Sequence, residues 1–199
     1  MRTIKKVASH IFIDGFGGMT QGLFATLIIG TMIQQIGLLI GGSTGNVIYL
    51  LGKAAAALTS AGIGVGVAVK YGESPLVTVS AAVAAMVGGY AGKITGGTFF
   101  VDGNAVLAGP GEPLGAFIAA FAGITCGHLV SGKTKVDIIV TPVITIGAGS
   151  VVGLLVGPPI SQMMTGLGSI INWATEQRPF IMGIVVSVVM GMVLTLPIK

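Results

Sequence analysis

Twenty-five consecutive residues, Phe16 to Ile40, pass without one charged side chain. As an α-helix such a run reaches about 38 Å. That exceeds the ~30 Å of bilayer hydrocarbon, which roughly 20 apolar residues can cross. Further apolar runs follow at Val47 to Val69, Leu76 to Ala91, Leu114 to Val130, Ile138 to Val156 and Phe180 to Pro197. The breaks between them hold the turn formers. They are Gly41 to Gly45, Lys70 to Pro75, Ser131 to Asp137 and Gly157-Pro158-Pro159. The pattern predicts an all-α polytopic transmembrane bundle of about six segments, forming one membrane-embedded domain over 1–199.

Composition supports a lipid-embedded chain and excludes an ordinary soluble fold. Only 8% of the residues are charged, against the roughly 25% usual in soluble domains. Mean hydropathy is +0.98. Glycine is abundant, 34 of 199 residues, and small residues let helix backbones approach closely in lipid. Gly115, Ala119, Gly123 and Gly127 recur four apart and form one such stripe. Gly183, Ser187 and Gly191 form another. The bland reading of both is packing inside the monomer; the sharper reading is a subunit interface.

Two stretches resist a simple span assignment. Lys93 to Pro113 is the least apolar part of the chain and is rich in Gly and Pro. A surface loop or a re-entrant segment both fit it. Ile160 to Gln177 reads as an amphipathic helix lying at the interface, with Trp173 as a headgroup anchor. Orientation follows from the cations. With six spans and a cytoplasmic N-terminus, Arg2, Lys5, Lys6, Lys70, Lys133, Lys135 and Lys199 fall inside and Lys53, Lys93 and Arg178 outside. Seven against three predicts both termini in the cytoplasm.

Several chemistries are disfavoured. The net charge of +4 is spread over helix ends and loops, so no phosphate-tracking surface for nucleic acid is expected. Gly127 to Thr134 spells G-x-x-x-x-G-K-T, a phosphate-binding pattern. That loop works only between a strand and a helix, and here an apolar run of membrane length precedes it. Two histidines without clustered carboxylates make a metal site unexpected. His128 reads as a capping or interfacial residue. His10 and Asp14, four apart, read as a structural pair near the membrane surface. The single cysteine, Cys126, lies in an apolar run and reads as a packing residue. No catalytic residue or cofactor site is expected.

The informative polar residues are those at membrane depth. Gln21, Gln34 and Gln35 lie in the first run, Asp102, Asn104 and Glu112 in the glycine-proline stretch, and Asn172 in the amphipathic helix. Polar groups are expensive in hydrocarbon and tend to face the bundle interior or a water-filled path. Amide side chains both donate and accept, which suits sugar hydroxyls. These seven are the candidate substrate-binding residues. The alternative for each is an interhelical hydrogen bond or solvation at a helix end.

Four blocks in order carry a family resemblance. They are His10-Ile11-Phe12-Ile13-Asp14-Gly15 with Gly18 to Leu27, then Ser131 to Pro142, then Gly157-Pro158-Pro159-Ile160 with Ile171 to Thr175, and finally Pro179 to Gly183 through Met190 to Ile198. Together they resemble the phosphotransferase-system (PTS) IIC-like membrane family, of the type labelled toxin (perfringolysin) regulators. The resemblance covers nearly the whole chain. It implies a sugar permease working by alternating access in a bacterial plasma membrane. It also implies a homodimer and phosphorylation of the solute by separate cytoplasmic IIB and IIA proteins. Members of that family run on for many more residues, so this chain resembles their N-terminal part. It therefore leaves two other readings: a membrane sensor or regulator that binds without transport, or a fragment that needs its missing half.

Overall fold

The computed structural model describes residues 10–107 and 109–176, together with positions 183, 187 and 188. Most of the run expected at 180–197 therefore lies outside the described residues. So do the side chains of His10, Trp173 and Glu176 and the cations Arg2, Lys5, Lys6, Arg178 and Lys199.

The described chain is all-α apart from one short hairpin. The first helix, α1, is apolar over Ile13–Ile40 and contains π-helical turns at His10–Gly15 and Phe24–Ile28. Gly41 and Gly42, at φ +67° and +64°, reverse the chain, backbone angles that glycine adopts without steric strain. The break there is tighter than the five-residue loop read from sequence. Next come α2, Gly42–Ala57, and α3, Thr59–Lys70. The expected second span is thus two helices bent by 53° at Leu58. Helix α4 is Pro75–Gly89, capped by the Ser74 hydroxyl accepting from the Val77 amide. Tyr90 separates it from the five-residue α5, Ala91–Thr95. Helix α6 is Pro113–Val130.

The largest departure from the sequence reading comes last. Helix α7 runs unbroken from Asp137 to Glu176. Gly157-Pro158-Pro159 does not stop it, and the amphipathic helix expected over Ile160–Gln177 is, as far as Glu176, the second half of the same helix. Proline removes a helical donor, yet within a membrane bundle neighbouring helices tolerate the loss. Three helices among the described residues are long and apolar enough to cross a bilayer, or four if the bent α2–α3 pair counts as one. Helix α4 is apolar but shorter.

Helices α3, α4, α6 and the first half of α7 form the core, with the start of α1 against α3. Ile63, Val67, Val77, Ala81, Ala85, Ala116, Phe117 and Ala120 fill it. Few of these are large, so the helices meet nearly backbone to backbone. A Cβ on Gly18 would sit 2.6 Å from the Gly66 carbonyl oxygen, and one on Gly149 would sit 2.6 Å from that of Ala119. On α6, Gly115 meets Gly88, Gly123 meets Thr145 and Gly127 meets the Thr145 hydroxyl. That stripe therefore packs within the monomer. The end of α1 and α2 pair through Gly30, Gly37, Gly45 and Gly52. They leave Leu38, Leu39, Leu50 and Leu51 exposed, as lipid-facing side chains are.

Two turns meet at one end of the bundle. His128 Nδ1 lies 3.0 Å from a nearly buried Glu73 carboxylate oxygen. The Ser74 and Ser131 hydroxyls are 3.1 Å apart. Asp137 folds the second turn, accepting from the Gly132 amide at 2.9 Å and the Thr141 hydroxyl at 2.6 Å. The G-x-x-x-x-G-K-T pattern is thus the end of α6 followed by an aspartate-held turn. Gly15 packs against the Tyr71 hydroxyl, so the start of α1 belongs to this end too. Burial and the Asp14 charge push the Tyr71 hydroxyl up to about 12, so it stays protonated.

Close crossing predicts a sharp contrast within α7. Gly149→Leu should destabilise the protein by about 1–3 kcal/mol through overpacking. Gly147→Leu, with nothing within 4 Å of its Cβ position, should leave the thermal midpoint in detergent nearly unchanged.

Candidate functional site

The ends of α3 and α4 away from the paired turns fall short of the membrane thickness. Helix α3 has 12 residues and α4 has 15, so they extend about 18 and 22 Å. Hydrocarbon is roughly 30 Å thick. Counted from the paired turns, the breaks at Leu58 and Tyr90 come before one hydrocarbon thickness is crossed, and free backbone groups are costly in hydrocarbon.

The structure answers each break with a partner. From α5 the chain leaves as an exposed hairpin, Phe100–Val101 paired antiparallel with Asn104–Ala105. Its turn is Asp102-Gly103, with φ of +50° and +77°, the left-handed pair of a two-residue hairpin. Residues 109–112 then return into the bundle. The Tyr90 hydroxyl, on a side chain only 1% exposed, is within bonding reach of the Ala57 carbonyl at 3.2 Å and of the Gly109 carbonyl. The Ser60 hydroxyl donates to the Pro110 carbonyl at 2.9 Å, and the Glu112 amide donates to the Gly89 carbonyl at 2.7 Å. Gly111, at φ +76°, is pressed against Ser60 and Gly89, leaving no room for a side chain. Two helix breaks and an inserted loop thus share one hydrogen-bonded node. The Lys93–Pro113 stretch is an exposed hairpin in its middle and an inserted segment at its end.

The seven candidate residues fall in several places. Gln21 and Gln35 are exposed on α1. Gln34 is half-buried there, its amide 3.4 Å from the Gly30 carbonyl and its stem against Gly52. Gln21 and Gln34 are 13 residues apart, about 20 Å along the helix. Asp102 and Asn104 occupy the exposed hairpin, where the Asn104 amide reaches the Asp102 carbonyl at 3.3 Å. Asn172 is exposed near the end of α7. Glu112 alone of the seven belongs to the node. It is half-buried just before α6.

Beside the node a groove of about 580 Å³ opens between α5 and the second half of α7. Lys93, Thr95, Ser161, Gln162 and Thr165 line it. None of them was among the sequence candidates. Ser161, Gln162 and Thr165 form a polar cluster one helical turn long in an apolar helix, a signal obscured by reading Gly157-Pro158-Pro159 as a stop. Among the described residues no group of three or more His, Cys, Asp or Glu is placed to hold a metal ion.

Removing the Tyr90 hydroxyl tests the node. Tyr90→Phe removes the one proton that the Ala57 and Gly109 carbonyls share and should cost about 1–3 kcal/mol. It should also speed proteolysis between residues 96 and 112, with α6 and α7 staying resistant.

The family described as Phosphotransferase system, EIIC matches residues 13–199. No curated protein and no solved structure matches the chain.

Proposed function

Because the chain belongs to the phosphotransferase system EIIC family, we propose that it is a permease that binds a sugar-like solute beside the Tyr90–Glu112 node and passes it by alternating access. Family membership and the apolar helices make it a membrane protein with a permease-type role in general. The finer reading rests on one observation: helix breaks at Leu58 and Tyr90 and an inserted Gly-Pro segment converge on one node at membrane depth. Broken helices near the midplane are where transporters place their sites, because freed backbone groups there can face a solute. Glu112 is the side chain that brings ionisable chemistry to this node. The amides of Gln21, Gln34, Gln35 and Asn172, with Asp102 and Asn104, are the further binding candidates.

In this mechanism the chain performs no covalent step. It exposes the solute to one side at a time, and a cytoplasmic IIB protein, supplied by IIA, phosphorylates it on arrival. The paired turns at Glu73–Ser74 and His128–Asp137 form the cytoplasmic end, in a bacterial plasma membrane with the N-terminus inside. A homodimer is the expected assembly. A second reading, a sensor that binds without transport, draws on the same contacts. The Glu73–His128 and Ser74–Ser131 pairs would carry a bound state to a cytoplasmic partner.

Reconstituted vesicles separate these readings. Counterflow of radiolabelled hexoses and hexitols should show accumulation, and Glu112→Gln should reduce it about tenfold or more without lowering the thermal midpoint. Binding without accumulation would favour the sensor. Unchanged accumulation in Glu112→Gln would remove Glu112 from the site.

A further inference from the structure

We propose that Lys53 is a further solute-binding residue, held in a water-filled path inside the membrane where its ammonium is the counter-charge of Glu112. Its role toward the solute rests on the permease reading. The water-filled path and the charge pair stand without it.

Depth comes from two counts. Exposed Leu38, Leu39 and Ile40 keep the reversal at Gly41–Gly42 at the edge of the hydrocarbon. Lys53 follows Gly42 by 11 residues, about 17 Å along α2. Counted from the other end, a Cβ on Gly30 would lie 2.9 Å from the Gly52 carbonyl oxygen, so Lys53 is level with Gly30. That glycine is 17 positions beyond Ile13, about 26 Å along α1. By either count Lys53 lies inside the hydrocarbon, not at the outer surface where its place in the sequence puts it. Its four-carbon stem covers only part of either distance.

A charge at that depth is expensive, so such residues face a water-filled cavity and pair with another charge. Helix α2, bent 53° from α3, packs along α1 and leaves Lys53 exposed. Exposed Asn46, seven residues earlier, lies on the same flank, and the Gln34 stem lies against neighbouring Gly52. Leu51, nearly opposite Lys53 around the helix, belongs to the leucine face. The hairpin of α1 and α2 thus has a polar flank and an apolar one.

The described carboxylates narrow the partner to one. Asp14, Glu73 and Asp137 belong to the paired-turn end, and Asp102 is at the tip of the exposed hairpin. Glu112 remains. Helix α6 has 18 residues, about 27 Å, which brings Glu112 to the depth of Lys53. Both border the same node. Ala57, one turn past Lys53 on the same face, gives its carbonyl to the Tyr90 hydroxyl at 3.2 Å. The Glu112 amide donates to Gly89, the residue before Tyr90. Among the described residues neither the Lys53 nor the Glu112 side chain makes an ion pair. The ammonium donates and the carboxylate accepts, so water or a solute hydroxyl between them satisfies both.

The test uses the full chain in lipid nanodiscs, which leave both faces open to reagents. A membrane-impermeant acetylating reagent should modify Lys53 of the unsubstituted chain, read by mass spectrometry. With Cys126→Ala, an impermeant maleimide should label Lys53→Cys about tenfold faster than Leu51→Cys. Equally slow labelling, with Lys53 left unacetylated, would overturn the water-filled path. A short bismaleimide should bridge Lys53→Cys to Glu112→Cys, so that protease cleavage within 98–107 leaves the two fragments joined. Fragments that separate would refute the pair. Equilibrium binding of radiolabelled glucose and mannitol reads the role toward the solute. Lys53→Gln should weaken it about tenfold at an unchanged thermal midpoint, and Lys53→Glu with Glu112→Lys should recover most of the loss. Unchanged affinity in Lys53→Gln would remove Lys53 from the solute site and spare the permease reading. If the unsubstituted chain binds neither sugar, the permease reading falls and the solute role falls with it, while labelling and bridging still decide the path and the pair.

Discussion

A peptide group inside hydrocarbon must find its partner within the protein, and this fold is organised around meeting that demand where helices stop short. An unbroken helix meets it by itself, as α1 and α6 do, and α7 does so except at Pro142, Pro158 and Pro159. Helices α3 and α4 end at depth, and their ends cannot turn to water. Tyr90, Ser60 and the amide of Glu112 supply the missing partners, and the returning segment 109–112 receives or gives those bonds. The same backbone that would be a liability in lipid is therefore held in one place, where a solute can meet it.

Close packing makes the arrangement rigid. In lipid there is no hydrophobic drive between helices, so contact area and interhelical bonds must hold them together. Glycines at the α1–α3, α4–α6 and α6–α7 crossings let carbonyl oxygens approach the opposite helix directly. The buried hydroxyls of Thr141 and Thr145 are satisfied locally: Thr145 donates to the Thr141 carbonyl and Thr141 to Asp137. The node thus rests on a bundle whose crossings leave no slack for larger side chains.

Much of this was legible in the sequence. The apolar runs gave the all-α membrane class, and the four-residue glycine spacing on α6 gave a packing face that the structure places within the monomer. The blocks around Asp14, Ser131–Pro142 and Gly157–Ile160 gave the family. The break at Leu58 was not legible, because Ala54 to Ala61 carries neither Gly nor Pro and the bend is imposed by packing. Tyr90 read as one apolar residue among many, since the value of its hydroxyl depends on carbonyls 33 and 19 residues away. The groove was missed because tandem prolines usually end a helix in water, whereas here α7 continues through them. Of the seven polar candidates, Glu112 reached the node because its loop returns to the bundle, a tertiary event that composition does not reveal.

Hydrogen exchange at residues 109–112, in the intact chain embedded in lipid nanodiscs, tests the central claim most directly. The Glu112 amide, bonded to the Gly89 carbonyl, should exchange as slowly as the amides of α6, while residues 98–107 of the exposed hairpin exchange within seconds. Equally fast exchange across 98–112 would mean that the segment is an ordinary surface loop and that the helix breaks at Leu58 and Tyr90 are met in some other way.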